Sequence, residues 1–168
     1  ELDIPIIYEE VKEVIKEDNF VINNKYKAKT IIIATGTEYN EIGISGDNLK
    51  GISYCAVCDG NFFRNKEVVV VGGGDSAVEE ALYLSNLVSK VTIVHRRDEL
   101  RAQKIIQDRA FAKDNIEFIW DSVVTEIKGE RKVSSVEVRN VKTEEISSIP
   151  TDGIFIYVGR IPQTNDFT

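Results

Sequence analysis

The sequence predicts an α/β fold in which a parallel sheet carries helices on one side and a small antiparallel β-meander on the other. Three observations support it. A valine run at 68–71 leads directly into three glycines, and an amphipathic segment follows them. A second apolar run, "KVTIVH", comes next at 90–95, and several short strand patterns lie after residue 115. Strand, glycine turn, helix and buried strand in this order are typical of a Rossmann-like three-layer dinucleotide-binding domain.

The first 36 residues predict short strands before that domain begins. Residues 11–36 contain turn signals at Glu17–Asp18 and Asn23–Asn24. The apolar run Ile31–Ala34 predicts a strand that is buried on both faces. The polar, glycine-bearing segment 37–51 predicts a connector.

Two helices and three further strands complete the predicted elements. The first helix is expected from about Ser76 to Val88, with Ser76 and Glu79 as a capping box. The second helix is expected over residues 98–114. The three strands are expected within residues 116–129, 132–141 and 153–159.

The region 116–159 repeats the plan of residues 11–36, because both have a small meander and then a buried strand that ends in glycine. We therefore expect two dinucleotide-type modules, the first represented by its C-terminal part. The chain has no methionine, which suggests that it is a piece of a longer protein.

Composition excludes several classes of function. The longest apolar runs fall short of the roughly 18 residues that span a bilayer, so we expect no membrane association. The net charge of −7 argues against nucleic-acid binding. Two cysteines cannot build a disulfide scaffold, so we expect a cytoplasmic protein that uses the pair for metal or redox chemistry.

The glycine run Gly72-x-Gly74-x-x-Ala77, with Gly73 between, predicts a loop that lets a pyrophosphate approach the backbone at a helix N-terminus. An NAD site would place an acidic residue after the next strand. Arg96 and Arg97 stand there instead, with Arg101 one helical turn on, which suits the 2′-phosphate of NADPH. The alternative is a solvated basic surface. The only histidine, His95, is either a packed residue or a neighbour of the cofactor edge.

Both cysteines lie in one C-x-x-C, Cys55 and Cys58. A zinc site needs about four ligands, which this pair and one distant histidine do not supply, so we expect no metal. The spacing permits a disulfide that exchanges rapidly, and buried inert thiols are the alternative. Asp59 follows directly, where a carboxyl group could exchange a proton with a departing thiolate or could act as a turn residue.

Four motifs together carry a specific resemblance: "CAVCDG", "GGGDSAVEEALYLS", "HRRDELRA" and "VGRIPQT". In this order and spacing they closely resemble the NADPH domain of bacterial-type, low-molecular-weight thioredoxin reductases. The segment "IIIATGTEY" is similar to the exit of that family's FAD domain. The resemblance covers nearly the whole chain.

The resemblance implies NADPH-dependent reduction of the thioredoxin disulfide, with electrons passing from NADPH through FAD to a Cys55–Cys58 disulfide. Cys58 would face the flavin, Cys55 would attack thioredoxin, and Asp59 would be the general acid/base. A homodimer is expected. The implied limits are 1–40 for the end of the FAD-binding domain, 41–160 for the NADPH-binding domain and 161–168 for a return linker, so the FAD site would be incomplete in this chain and the chain inactive by itself.

The residues implied to bind NADP(H) extend the glycine and arginine motifs, and they are Gly72, Gly73, Gly74, Asp75, Ser76, Ala77, Glu79, His95, Arg96, Arg97, Arg101, Gly159 and Arg160. Two alternatives stay open. The flavoprotein subunit of alkyl hydroperoxide reductase shares these motifs, but it usually has Pro-His between its cysteines where this chain has Ala56 and Val57. A non-catalytic NADPH-binding module is the other alternative.

Overall fold

The computed structural model describes residues 3–164. The chain forms two compact units, which we call the terminal unit, Glu1–Glu38 with Arg160–Thr168, and the central unit, Tyr39–Gly159. The predicted assignment of residues 1–40 to the end of a flavin domain stays a prediction. Residues 165–168 of the predicted return linker lie outside the described residues.

An antiparallel meander lies in the terminal unit. It consists of β1 (Val14–Lys16), β2 (Phe20–Ile22) and β3 (Tyr26–Ala28). Asn23 and Asn24 form the second turn with φ of 51° and 53°, a left-handed conformation that asparagine tolerates better than most residues. The Asn23 side chain accepts a 2.8 Å hydrogen bond from the Lys12 amide. The predicted short strands and the turn at Asn23–Asn24 are confirmed.

The predicted buried strand at Ile31–Ala34 is wrong. Within the described residues this segment pairs with no strand, and the side chains of Ile32 and Ile33 are 92% and 52% exposed. A strand that is buried on both faces needs neighbouring strands and a covering layer, and this segment has neither. The strand β4 (Thr37–Tyr39) follows it, inside the segment expected to be a connector.

A five-stranded parallel sheet forms the centre of the central unit. Its order is β5 (Ile52–Ser53), β12 (Gly153–Ile156), β6 (Glu67–Val71), β7 (Lys90–Val94) and β8 (Ile116–Ile119). Alternate valines of β6 face opposite sides, as the period of a strand requires. Val68 and Val70 pack in one hydrophobic core, and Val69 and Val71 pack in a second core on the other face.

Helices cover the first of these faces. They are α1 (Ala56–Asp59), α2 (Asp75–Leu84) and α3 (Lys104–Phe111), with a 3-10 turn at Gly60–Phe63 after α1. The predicted capping box is wrong, because Gly74 rather than Ser76 is the N-cap of α2. No helix in the described part of the chain is long and apolar enough to cross a membrane.

The second predicted helix begins later than expected, at Lys104 instead of residue 98. The amides of Arg101 and Ala102 donate to the carbonyl oxygen of Gly73 at 2.7 and 3.2 Å. The amide of Gln103 donates to Asp75 Oδ1 at 2.7 Å. These long-range hydrogen bonds hold residues 101–103 against the glycine loop, so the helix starts only after them.

A second meander covers the other face of the sheet. It consists of β9 (Ser122–Gly129), β10 (Val133–Asn140) and β11 (Ile146–Pro150). The single strand expected over residues 116–129 is wrong, because Asp121, with φ of 50°, separates β8 from β9. The largely exposed strand β11 was missed. The three-layer α/β fold is confirmed, and β13 (Arg160–Pro162) pairs with β4 as a two-stranded ribbon.

Candidate redox and nucleotide-binding site

The cysteine pair lies where β5 leads into α1. Cys55 and Cys58 form a disulfide with Cα atoms 5.3 Å apart. Cys55 is the N-cap of α1, and its Sγ accepts a 3.2 Å hydrogen bond from the Cys58 amide. Cys58 is exposed and Cys55 is half-buried. A disulfide that closes so short a loop beside solvent is accessible to attack by a thiolate.

Asp59 is held by a serine that sequence reasoning missed. The hydroxyl of Ser53 donates to Asp59 Oδ2 at 2.7 Å and accepts from the amide of Cys55 at 3.1 Å. Ser53 is 4% exposed, at the end of β5. Asp59 makes no side-chain capping bond to the 3-10 turn that follows it. Its carboxylate instead accepts the hydrogen bond from Ser53, in the segment that carries the cysteines. A serine two residues before the first cysteine was the available signal.

The glycine loop is shaped by close packing at two positions and is open at the third. Gly72 has φ of 138°, and a Cβ there would lie 2.5 Å from the carbonyl oxygen of Tyr157. A Cβ at Gly73 would lie 2.5 Å from the ring of His95. A Cβ at Gly74 would meet no atom within 4 Å. The backbone at Gly74, at the start of α2, is therefore accessible to a phosphate group.

Backbone hydrogen bonds, rather than side-chain contacts, hold the arginine motif next to this loop. Arg101 and its successor Ala102 donate to the Gly73 carbonyl oxygen, as described above. The side chains of Arg96, Arg97 and Arg101 are exposed, and none forms an ion pair within residues 3–164. Three guanidinium groups without carboxylate partners beside an open glycine loop suit a phosphate ligand.

His95 packs beneath the glycine loop and is 6% exposed. Burial lowers the pKa of its imidazole, the positive charges of Arg97, Arg96 and Arg101 lower it further, and a hydrogen bond to the Glu99 backbone opposes them. Its Nε2 atom is buried with no hydrogen-bond partner among the described residues. His95 is therefore a neutral support for Gly73, and its predicted contact with the cofactor stays a prediction.

The other predicted cofactor residues divide between the two units. Asp75 uses its carboxylate to accept from Gln103, and Ala77 is buried where α2 approaches the glycine loop. Ser76 and Glu79 are exposed on α2. Gly159 has φ of 115° and ends the central unit, whereas Arg160 belongs to the terminal unit. Their contacts with a cofactor stay predictions.

The family model for pyridine nucleotide-disulphide oxidoreductases matches residues 3–168. The chain belongs to this family. Two similar relatives are thioredoxin reductases, from Listeria innocua at 52% identity and from Bacillus subtilis at 50%. Both alignments cover 95% of this chain and 53% of the relative. The chain therefore spans about half the length of the curated relatives that it matches.

Solved structures agree with the family assignment. Lactococcus lactis thioredoxin reductase has a TM-score of 0.82 at 49% identity, covering 95% of this chain and 55% of that one. Thioredoxin reductase from T. acidophilum has a TM-score of 0.81 at 38% identity, covering 94% and 54%. The resemblance to bacterial-type thioredoxin reductases that the four motifs carry is confirmed.

In this member of the pyridine nucleotide-disulphide oxidoreductase family, sequence reasoning missed two further residues at the disulfide. The Tyr157 hydroxyl accepts a 2.9 Å hydrogen bond from the amide of Ala56, between the cysteines. Burial raises the pKa of Glu80 on α2, and the nearby amides of Ala56 and Val57 partly offset this. Glu80 lies within the quoted "VEEALYL" motif, but its contact with α1 depends on helix packing that the motif alone does not specify.

Proposed function

We propose that the chain carries the NADP(H) site and the redox-active disulfide of a thioredoxin-disulfide reductase (NADPH). One observation carries the proposal. A compact unit holds an exchangeable disulfide, with an aspartate bound to its segment, together with an open glycine loop and three arginines that form no ion pair with a carboxylate in residues 3–164. The names of the relatives support thioredoxin as the disulfide substrate.

The glycine loop and arginine motif fit the pyrophosphate and 2′-phosphate of NADPH. Gly74 leaves its side of the loop open, and as the N-cap of α2 it has no side chain to cap the first amides. These amides would hold the pyrophosphate, and Arg96, Arg97 and Arg101 would hold the 2′-phosphate. When bound, NADPH would supply a hydride and FAD would supply the two-electron relay to the disulfide.

The chain's own residues perform the exchange with thioredoxin. The Cys55 thiolate attacks one sulfur of the thioredoxin disulfide, so that a mixed disulfide forms and the other thioredoxin sulfur leaves as a thiolate. Cys58 then attacks Cys55, the second thioredoxin sulfur leaves, and the Cys55–Cys58 disulfide re-forms. Asp59, held by Ser53, takes the proton from the Cys58 thiol as it attacks and gives it to the departing thioredoxin sulfur.

The rest of the proposal concerns the whole protein. We infer that it is a cytoplasmic homodimer, that this chain is its central part, and that most of the FAD site lies outside the 168 residues. The relatives are about twice as long as this chain, which supports the inference. A disulfide beside solvent argues against a non-catalytic NADPH-binding module, which has no use for thiol exchange.

Calorimetric titration of the chain with NADPH and NADH tests the nucleotide site, and a thioredoxin assay with and without added FAD tests the electron route. We expect the chain to bind NADPH and to show no NADPH-dependent reduction of thioredoxin. Robust activity without flavin would contradict the proposed route. Absent NADPH binding would contradict the assignment of the glycine loop.

A further inference from the structure

Tyr157 links the sheet to the residues between the two cysteines. Its backbone amide donates to the Val71 carbonyl oxygen at 2.8 Å, which fixes Tyr157 at the end of the parallel sheet. Its hydroxyl oxygen accepts from the Ala56 amide at 2.9 Å. Ala56 is 0% exposed and Tyr157 is half-buried, so this hydrogen bond is partly shielded from solvent. The middle of the C-x-x-C segment is therefore held by a residue 101 positions later in the chain.

Glu80 reaches the same place from α2. Its Oε2 atom is buried and has no hydrogen-bond partner among the described residues. Burial raises the pKa of the Glu80 carboxyl, the amides of Ala56 and Val57 and the Tyr157 hydroxyl lower it, and Glu79 raises it. A buried carboxylate with an unpartnered oxygen costs free energy of folding, whereas a glutamine would keep its shape without the charge. Stability therefore does not explain this residue.

We propose that Glu80 and Tyr157 form a positioning pair that lowers the reduction potential of the Cys55–Cys58 disulfide. The inference rests on the proposed redox function of that disulfide. Reduction turns one uncharged disulfide into two sulfurs, of which one forms a thiolate most readily. A negative charge on Glu80, beside the Ala56 and Val57 amides between these sulfurs, would oppose a second negative charge there. The dithiol is disfavoured relative to the disulfide and becomes the stronger reductant.

The reduction potential can be measured without flavin, nucleotide or thioredoxin. The chain is equilibrated in mixtures of reduced and oxidised dithiothreitol, and its free thiols are trapped and counted. Each exchange moves two electrons: the two dithiothreitol thiols become a cyclic disulfide, the Cys55–Cys58 bond breaks, and the two protons pass to the cysteines and solvent. The ratio of reduced to oxidised chain gives the equilibrium constant.

We expect Glu80→Gln to shift this equilibrium about tenfold toward the dithiol, a potential about 30 mV less negative. Glu67→Gln is the matched control, because it removes the same charge from an exposed position at the start of β6. The control should stay within about twofold of the unsubstituted chain.

Tyr157→Phe is the second variant. It removes a hydrogen-bond donor that favours the charged form of Glu80, and it leaves the buried Ala56 amide without its acceptor in the oxidised chain. Both effects favour the dithiol, so the shift should have the same sign as that of Glu80→Gln. Because the two residues act on one hydrogen-bonded group, the double variant should shift the equilibrium by less than the sum of the single shifts.

The outcomes separate this inference from the proposed function. If the disulfide does not exchange with dithiothreitol at all, the proposed redox function fails and the inference fails with it. If it exchanges but Glu80→Gln and Glu67→Gln give the same equilibrium constant as the unsubstituted chain, only the positioning pair is overturned. If Glu80→Gln loses the far-ultraviolet circular dichroism of the folded chain, Tyr157→Phe is the test instead. An equilibrium constant equal to that of the unsubstituted chain then overturns the positioning pair.

Discussion

The hydroxyl of Ser53 donates a 2.7 Å hydrogen bond to the carboxylate of Asp59 and accepts one from the amide of Cys55. A single buried side chain therefore links the first cysteine of the disulfide loop to the carboxylate that follows the loop. A general acid contributes most when its proton is held within hydrogen-bond reach of the atom that receives it. The orientation of Asp59 thus depends on a residue that takes no part in the exchange.

Replacing Ser53 with alanine should slow thiol exchange by about tenfold, since a freed Asp59 loses part of the 10²- to 10⁴-fold contribution of a positioned acid. The rate at which the reduced chain cleaves a small aromatic disulfide, followed by absorbance, measures this. Ser148→Ala, on the exposed strand β11, is the control. Equal rates for Ser53→Ala and Ser148→Ala would show that the hydrogen bond to Asp59 has no role in the exchange.

Two glycines of the same loop should respond in opposite ways to alanine. At Gly73 the new Cβ overlaps the buried His95 ring, so Gly73→Ala should lower the free energy of unfolding by roughly 1–3 kcal/mol. At Gly74 the Cβ points into open space, so Gly74→Ala should nearly keep its stability and should weaken NADPH binding. Urea unfolding and calorimetric titration measure the two effects. Unchanged NADPH affinity in Gly74→Ala would show that the phosphate does not bind at that side of the loop.

The arginine motif should decide between NADPH and NADH. Each charge-assisted contact with a phosphate is worth about 1.5–3 kcal/mol, or roughly ten- to a hundredfold in affinity. The double variant Arg96→Ala, Arg97→Ala should therefore lose its preference for NADPH and keep its weaker affinity for NADH. Arg131→Ala, between β9 and β10, is the control for a general loss of positive charge. A double variant that still prefers NADPH to the same degree would place the 2′-phosphate elsewhere.

The buried His95 should make the chain less stable as the pH falls. Its pKa in the folded chain is lower than its usual 6.5, mainly through burial. Below pH 6.5 the His95 imidazole is protonated in the unfolded chain and stays neutral in the folded chain. The free energy of unfolding therefore decreases as the pH falls from 6.5 toward the folded pKa, by at most about 1.4 kcal/mol per pH unit. Glu80, whose pKa is raised by burial from its usual 4.5, contributes with the opposite sign.

Urea unfolding at pH 7.5, 6.5 and 5.5 measures this pH dependence. The variant His95→Asn keeps a side-chain donor for the Glu99 backbone and removes the titrating group, so its loss of stability between pH 6.5 and 5.5 should be smaller. The chain has one histidine, which makes the comparison specific. The same loss in both proteins would assign the pH dependence to other groups.

The elements that could be predicted from the sequence are those whose signal is local. The valines of β6 and β7 indicate buried parallel strands whatever surrounds them, and the glycines after β6 indicate the turn into α2. The run Ile31–Ala34 has an equally strong local pattern and still forms no strand, because a buried strand also needs neighbouring strands, and this segment has none within residues 3–164.

The residues that sequence reasoning missed act across long stretches of chain. Tyr157 contacts Ala56 only because β12 inserts between β5 and β6, and Glu80 reaches the same amides only through the packing of α2 on α1. Asp75 shortens the expected second helix by binding the Gln103 amide from 28 residues away. None of these contacts leaves a periodic pattern, so motifs locate the cysteines and glycines but not the side chains that hold them.

The central claim is that Cys55 and Cys58 pass electrons from bound NADPH to thioredoxin. Its most direct test compares the unsubstituted full-length protein with its Cys55→Ser variant, following NADPH-driven flavin bleaching and thioredoxin reduction in parallel. We expect the variant to keep flavin bleaching and to lose thioredoxin reduction, because hydride transfer needs no thiol and the exchange needs both. A Cys55→Ser protein that still reduces thioredoxin, or one that no longer bleaches its flavin, would contradict the account.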